Sequence, residues 1–203
     1  MEIKNFIDFL FRLGFSASKW KRELPLVRKE AEGLNTKLIP YDVEEWSLLS
    51  LNRSHTSFKK GFTKLYRGIM ETIYFEPLFS YIIKDFGRDY QLKLVSSTTH
   101  EFIYLKKGSS IQVYINEALV GNLTDNHILV GDRRNKLGFI DFSSNTEQSP
   151  VWISGKNVGF VANPAIRKTT TVRAFSIFKA LNEQDQVIFM CLVLGFLTDA
   201  IKR

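Results

Sequence analysis

The side chains that could do chemistry are few and scattered. His55, His100 and His127 lie far apart, and none stands in an HExxH or Cys–His spacing, so no metal site is expected. The single cysteine, Cys191, sits inside the apolar run VIFMCLVLGFL, where desolvation raises a thiol's pKa and leaves it inert. A GxSxG nucleophile elbow is absent, as are GxGxxG and GxxxxGKS/T phosphate cradles. The stretch Gly155-Lys156-Asn157-Val158-Gly159 reads as a turn, because the P-loop spacing and the following helix are missing. Carboxylates come close at Glu44-Glu45 and at Glu71 with Glu76. Glu76, just ahead of Pro77, is either a partner to a base such as Arg67 or Arg173 or a site acid, and the structural role is the better fit. These readings predict a protein that is not an enzyme and carries no cofactor.

Charge is the more informative signal. The chain holds 28 Lys and Arg against 21 Asp and Glu, a formal net charge of +7. The basic residues gather at Lys19-Trp20-Lys21-Arg22, at Lys59-Lys60 with Lys64 and Arg67, and at Arg133-Arg134 with Lys136. Such a surface favours phosphate groups, nucleic acid or acidic lipid headgroups, with a plain solvated face as the simpler alternative. Around Phe58, Phe62 and Tyr66 the bases interleave with aromatics. That pattern suits base stacking, but it suits an anionic lipid surface better. The candidate anion or headgroup ligands are therefore Lys59, Lys60, Lys64, Arg67, Arg133, Arg134 and Lys136. Residues 1–14 place Ile3, Phe6, Ile7, Leu10 and Leu13 at helical spacing, with Gly14 as a stop. An apolar helix followed by Lys19 to Arg22 fits an interfacial anchor. Phe6, Leu10, Leu13, Lys19, Trp20, Lys21 and Arg22 are its expected contacts with a membrane or a partner. The alternative is that this segment packs on its own domain or on a second subunit.

The elements that must position these residues divide into three stretches. After Gly14 the chain is helix-tolerant but broken by Pro25, and Gly33-Leu34-Asn35 and Pro40 read as linker. Tyr41-Asp42 opens a short helix over 43–49 with Asp42 as N-cap, or else Trp46, Leu48 and Leu49 already open a β region. From Gly68 the apolar period becomes two. Strand candidates follow at 69–75, 78–84, 91–97, 101–106, 110–116, 118–123, 127–131, 137–142, 150–154, 158–162 and 171–180. Turn-formers separate them, and many short strands at such spacing mean an all-β sandwich or barrel. The last element breaks this rhythm. Asn182 is an N-cap candidate, Glu183 and Asp185 suit a first turn, and 187–197 is apolar on every face. Eleven helical residues reach only about 16 Å, against about 30 Å for a bilayer core. A helix that is greasy all round and too short for a membrane needs protein around its whole circumference, which strands upstream can supply by curling into a sheath. Small Cys191 and Gly195 would let strands approach it closely.

Three segments carry a resemblance. GSSIQVYINEALVGNL (108–123) resembles the recurring hairpin of the group formed by tubby C-terminal domains, phospholipid scramblases and plant LURP-one-related proteins. RAFSIFKALNEQDQVIFMCLVLGFLTDAI (173–201) resembles their closing strand and central helix. ETIYFEPLFSYIIKDF (71–86) resembles the strand pair near the start of the barrel in bacterial members. The resemblance covers about 68–203. It implies a mainly β fold: a closed barrel of about twelve strands around a hydrophobic C-terminal helix at 183–201. The domain would span 41–203, with 1–40 as a helical extension and linker. Departures limit what carries over. Where scramblases hold an acidic calcium-binding segment, this chain has only Asn182-Glu183-Gln184-Asp185, and their palmitoylated Cys-rich stretch is missing. Tubby domains bind phosphoinositide headgroups through basic side chains, and no residue-by-residue match to that pocket exists here.

The function expected is a non-enzymatic binding module for an anionic ligand or a membrane phospholipid headgroup. The alternative is a structural or adaptor protein that docks a partner or a second subunit through its apolar N-terminal helix. Nucleic acid is the less favoured partner. The N-terminus lacks the features of a secretory signal and one Cys cannot form an internal disulfide, so the expected address is the cytoplasm, peripheral to the inner face of the membrane if attached.

Overall fold

A computed structural model describes residues 17–61, 63–87, 89–131, 134–143, 146–166, 172–178 and 180–202, apart from the side chains of 17–19, 60 and 202. Thirteen strands form one antiparallel sheet: β1 (Leu49–Arg53), β2 (Thr56–Lys60), β3 (Thr63–Thr72), β4 (Pro77–Asp85), β5 (Tyr90–Ser96), β6 (Glu101–Lys107), β7 (Ser110–Ile115), β8 (Ala118–Thr124), β9 (Ile128–Val130), β10 (Lys136–Ile140), β11 (Gln148–Ile153), β12 (Lys156–Ala162) and β13 (Phe175–Ile177). Twelve of them run in the order β1-β3-β4 and then consecutively to β13, while β2 folds back on β3 as a hairpin. The segment ahead of β13 brings the sheet's two edges together. Ala174 N donates to Leu49 O at 2.7 Å, and Leu51 N donates to Val172 O at 3.3 Å. The result is a nearly closed twelve-stranded barrel.

The helix α2 (Glu183–Asp199) runs through it. Phe189 to Leu194 are each 0% exposed. Contacts come from all round the barrel. Tyr104 of β6 donates from its hydroxyl to Cys191 O at 2.7 Å, and Phe175 of β13 meets Phe189 edge-on with centroids 5.2 Å apart. A Cβ at Gly195 would stand 3.2 Å from the Tyr104 ring, and one at Gly138 of β10 would stand 3.0 Å from Leu192. Thus Gly195 admits an aromatic side chain, where the sequence reading expected a strand backbone. Asn182 caps the helix, its side chain accepting from Asp185 N at 2.8 Å. Asn182→Ala is expected to cost about 1 kcal/mol in urea unfolding, the usual worth of an N-cap.

Antiparallel pairing sorts the turns onto two ends of the barrel. The end where α2 begins, here called upper, carries the β3–β4, β5–β6, β7–β8, β9–β10 and β11–β12 turns. The lower end carries the β2–β3, β4–β5, β6–β7, β8–β9 and β10–β11 turns and the end of α2.

The helix α1 (Ala17–Asn35) lies outside the barrel against β4 and β5. It corrects two expectations. Pro25 does not break it, and Gly33 to Asn35 form its last turn. Proline costs a helix interior about 3 kcal/mol, and contacts on both sides of Pro25 offset that. Trp20, Val27 and Ala31 are buried on the sheet at helical spacing. Glu23 pairs with Lys84 at 2.5 Å, and Arg28 pairs with Glu101 at 2.5 Å. Trp20 is itself a correction. It is 9% exposed and packs edge-on against Phe86 at 6.1 Å, so it is a packing residue and not a surface contact.

The short helix at Val43–Leu48 is 3-10, with Asp42 and Glu45 forming a capping box. Period two sets in earlier than expected, through β1 and β2 and at Thr63 of β3. Gly68 lets the β1–β2 connection press on β3, since a Cβ there would fall 2.0 Å from the Ser54 carbonyl oxygen. Glu76 is a structural acid with a different partner from those expected. The Tyr41 hydroxyl donates to it and is thereby pushed up to about 12, while Arg67 pairs with Glu30 at 3.4 Å.

Candidate basic face and apolar groove

The β2–β3 hairpin has two unlike faces because side chains alternate along a strand. Phe58 and Leu65 are cross-strand partners on the face toward α1, and Lys59 and Lys64 are partners on the other. Like charges directly opposite are destabilising unless something neutralises them. Lys64 also lies across from Asp85 on β4, which relieves part of that repulsion.

Between the hairpin and α1 lies a groove of about 300 Å³, lined by Leu26, Val27 and Glu30 of α1, Phe58, Thr63 and Leu65 of the hairpin, and Lys84. Leu26 is 50% and Phe58 46% exposed, so the groove's two lips are greasy and open to solvent. The lining cation Lys84 and the neighbouring Arg67 are partnered. Lys84 pairs with Glu23, and Arg67 pairs with Glu30 while lying 5.8 Å from the Phe58 ring centroid. Other cations are exposed: Lys21 and Arg22 on α1, and Lys59 and Lys64 on the hairpin face turned away from the groove. Arg22 lies one helical turn ahead of Leu26 on the hairpin side of α1. Its guanidinium reaches Glu23 at 3.6 Å but remains 72% exposed.

Two basic clusters remote in sequence therefore meet at the lower end. The N-terminus of α1 reaches that end through Trp20 against Phe86, and the hairpin tip at Gly61 points the same way. The third cluster does not join them. Arg134 in the β9–β10 connection and Lys136 at the start of β10 lie at the upper end, and the Lys136 ammonium sits 3.3 Å from the Phe139 ring centroid. Phe6, Leu10, Leu13 and Arg133 lie outside the described residues, as do the side chains of Lys19 and Lys60.

A larger cavity, about 690 Å³, opens at the upper end beside Asn135. Ile115, Leu119, Val120, Leu137, Val187 and Ile188 make it mainly apolar. Glu183 is the one ionised side chain among its lining residues, so the cavity offers no charge for an anion. Nearby, burial lowers the pKa of His100, and the Glu183 carboxylate opposes that shift only in part.

A polar inlay that the sequence did not disclose lies where α2 ends. Lys93 points from β5 into the barrel and is 3% exposed. Its ammonium donates to Gly195 O at 3.1 Å, Thr198 Oγ1 at 3.2 Å and Asp199 Oδ1 at 2.6 Å. The dipole of a helix C-terminus attracts positive charge. Here that charge comes from a strand. Cys191 is buried, and desolvation pushes its thiol up to about 12.

Comparison of the chain with protein-family models, with curated proteins and with solved structures finds no match. No described helix is long and apolar enough to cross a membrane.

Proposed function

We propose that the protein is a non-enzymatic binding module that applies the lower end of its barrel to an anionic phospholipid surface. One observation carries this reading: Lys21 and Arg22 of α1 share an end with Lys59 and Lys64 of the hairpin, beside the exposed apolar Leu26 and Phe58. Cations and apolar side chains side by side suit the interface of an acidic bilayer, where each Lys or Arg contributes about 1 kcal/mol. The apolar residues 1–14 precede α1 in the sequence and are assigned to the same contact. Kinship with the tubby, scramblase and LURP-one-related barrels is part of the proposal. The buried helix within a curled sheet supports that kinship, and phosphoinositide binding by tubby domains is compatible with the lipid assignment.

Vesicle co-sedimentation tests it. The full chain should pellet with vesicles of phosphatidylglycerol and phosphatidylcholine and stay in solution with phosphatidylcholine alone. Reversing two cations in Lys59→Glu/Lys64→Glu should weaken the partition by about 30-fold or more, and salt should weaken it for the unaltered chain. Equal, negligible pelleting on both vesicle types overturns the proposal.

A further inference from the structure

The β3–β4 turn is built to present two aromatic side chains to solvent. Tyr74 is 66% and Phe75 60% exposed. Phe75 holds φ at 65°, a conformation that is strained for a bulky side chain. The turn keeps it there with four hydrogen bonds centred on the buried Thr72. Tyr74 N and Glu76 N each donate to Thr72 Oγ1 at 3.2 Å, Phe75 N donates to Thr72 O at 3.0 Å, and Thr72 N donates to Glu76 O at 2.9 Å. Glu76 is fixed in turn by Tyr41. Strain held by a dense network, with greasy rings as the outcome, is the pattern of a docking anchor. The surroundings are acidic. Asp42, Glu44 and Glu45 are exposed on the adjoining 3-10 segment, and both Glu45 and Tyr74 are close enough to influence the Tyr41 hydroxyl.

The complement of this tip lies at the other end of the same strand pair. The groove between α1 and the hairpin is lined mainly by apolar side chains, open, large enough for an aromatic ring and flanked by the exposed Arg22 of α1. Tip and groove are separated by the ten residues of β3, about 33 Å of strand. One molecule cannot bring them together. We propose that they meet between molecules: the Tyr74–Phe75 tip of one copy enters the Leu26–Phe58 groove of the next, with Asp42, Glu44 and Glu45 facing the basic start of α1 at Lys21 and Arg22. The contact joins unlike patches at opposite ends, so it is head-to-tail and leaves a free tip and a free groove after every addition. It also covers part of the lower end, so association and vesicle binding compete.

The inference does not require the lipid assignment, and its test is separate. Light scattering behind size exclusion over a concentration series to about 1 mM should show mass rising with concentration, less so at high salt. Tyr74→Ser/Phe75→Ser (tip-less) and Leu26→Asp/Phe58→Asp (groove-less) should each weaken association at least about tenfold. Mixing the two variants is decisive. A head-to-tail contact predicts a capped dimer from the mixture, because the groove-less copy still has a tip and the tip-less copy still has a groove. A unit mass at all concentrations overturns the inference. So does undiminished association of either variant alone, or a mixture that behaves as the sum of its parts. Circular dichroism of each variant shows whether it is folded, and Phe75→Ala with Phe58→Ala repeats the mixing test with milder changes. The tip-less chain should bind anionic vesicles at least as well as the unaltered one. If it associates as expected but neither it nor the unaltered chain pellets with vesicles, the lipid reading fails and the self-association stands.

Discussion

Phe189→Ala is expected to destabilise the protein by about 3–5 kcal/mol, the upper range for a truncated core aromatic. Phe189 is 0% exposed and stands edge-on to Phe175, which is itself buried on β13. The cost of a large-to-small change depends on how far the surroundings can collapse, and here they are poorly placed to do so. A helix packed against a sheet can slide toward it. A helix inside a nearly closed barrel has strands on every side, and β3 to β12 are each held by hydrogen bonds to at least two neighbours. The void left by the ring should therefore persist. Urea unfolding should show a lower midpoint with an unchanged slope, because the surface exposed on unfolding is nearly the same. The melting temperature should fall by about 6–20 °C. A loss of only about 1 kcal/mol would mean that the barrel closes around the gap, contrary to this account.

Lys93→Met is expected to cost about 2–4 kcal/mol. The substitution keeps much of the side-chain length and removes the ammonium. Thr198 Oγ1 keeps its own bonds to Leu194 O at 2.6 Å and Gly195 O at 3.0 Å. Asp199 loses its close cationic partner from β5 but retains some access to water, being 36% exposed, which sets the effect below that of a fully buried broken pair. The His127 ring lies 3.9 Å from the Asp199 carboxylate, beyond hydrogen-bond distance. The double variant Lys93→Met/Asp199→Asn separates the ion pair from the helix-end contribution. If the pair dominates, the double variant should be no less stable than Lys93→Met alone. If the ammonium acts mainly on the carbonyl end of α2, the second change should add its own cost. A Lys93→Met protein with unaltered stability would remove the inlay from the list of forces holding α2 in place.

The legible parts of the fold were those written in local pattern. The alternation in Ile111-Gln112-Val113-Tyr114-Ile115 marked β7, and the turn residues Lys107-Gly108-Ser109 marked the boundary between β6 and β7. Asn182, Glu183 and Asp185 marked the start of α2, and its even coat of apolar residues demanded a sheath. What misled was the reading of single residues out of context. Pro25 looked like a break, because a sequence does not display the contacts on either side that outweigh the proline. Trp20 looked like an interfacial anchor, because a basic neighbourhood says nothing about which side of a helix rests on a sheet. Arg67 carried charge on paper, yet Glu30 of α1 already partners it. Lys93 gave no signal at all, since a lysine in a strand of the pattern YQLKLVS is ordinarily an outward residue.

By itself, the amino-acid order determined that this chain builds antiparallel strands and a final helix that must be wrapped. Period, turn chemistry and capping act over a few residues, and they are readable wherever they occur. Which basic residues share a surface was decided only by the tertiary structure. Lys21, Arg22, Lys59 and Lys64 came to one end of the barrel, while Arg134 and Lys136 went to the opposite end. That partition depends on the number of strand reversals between two positions and on where α1 finds its place against β4 and β5. Both are long-range consequences of burying the helix, and no short stretch of sequence contains them.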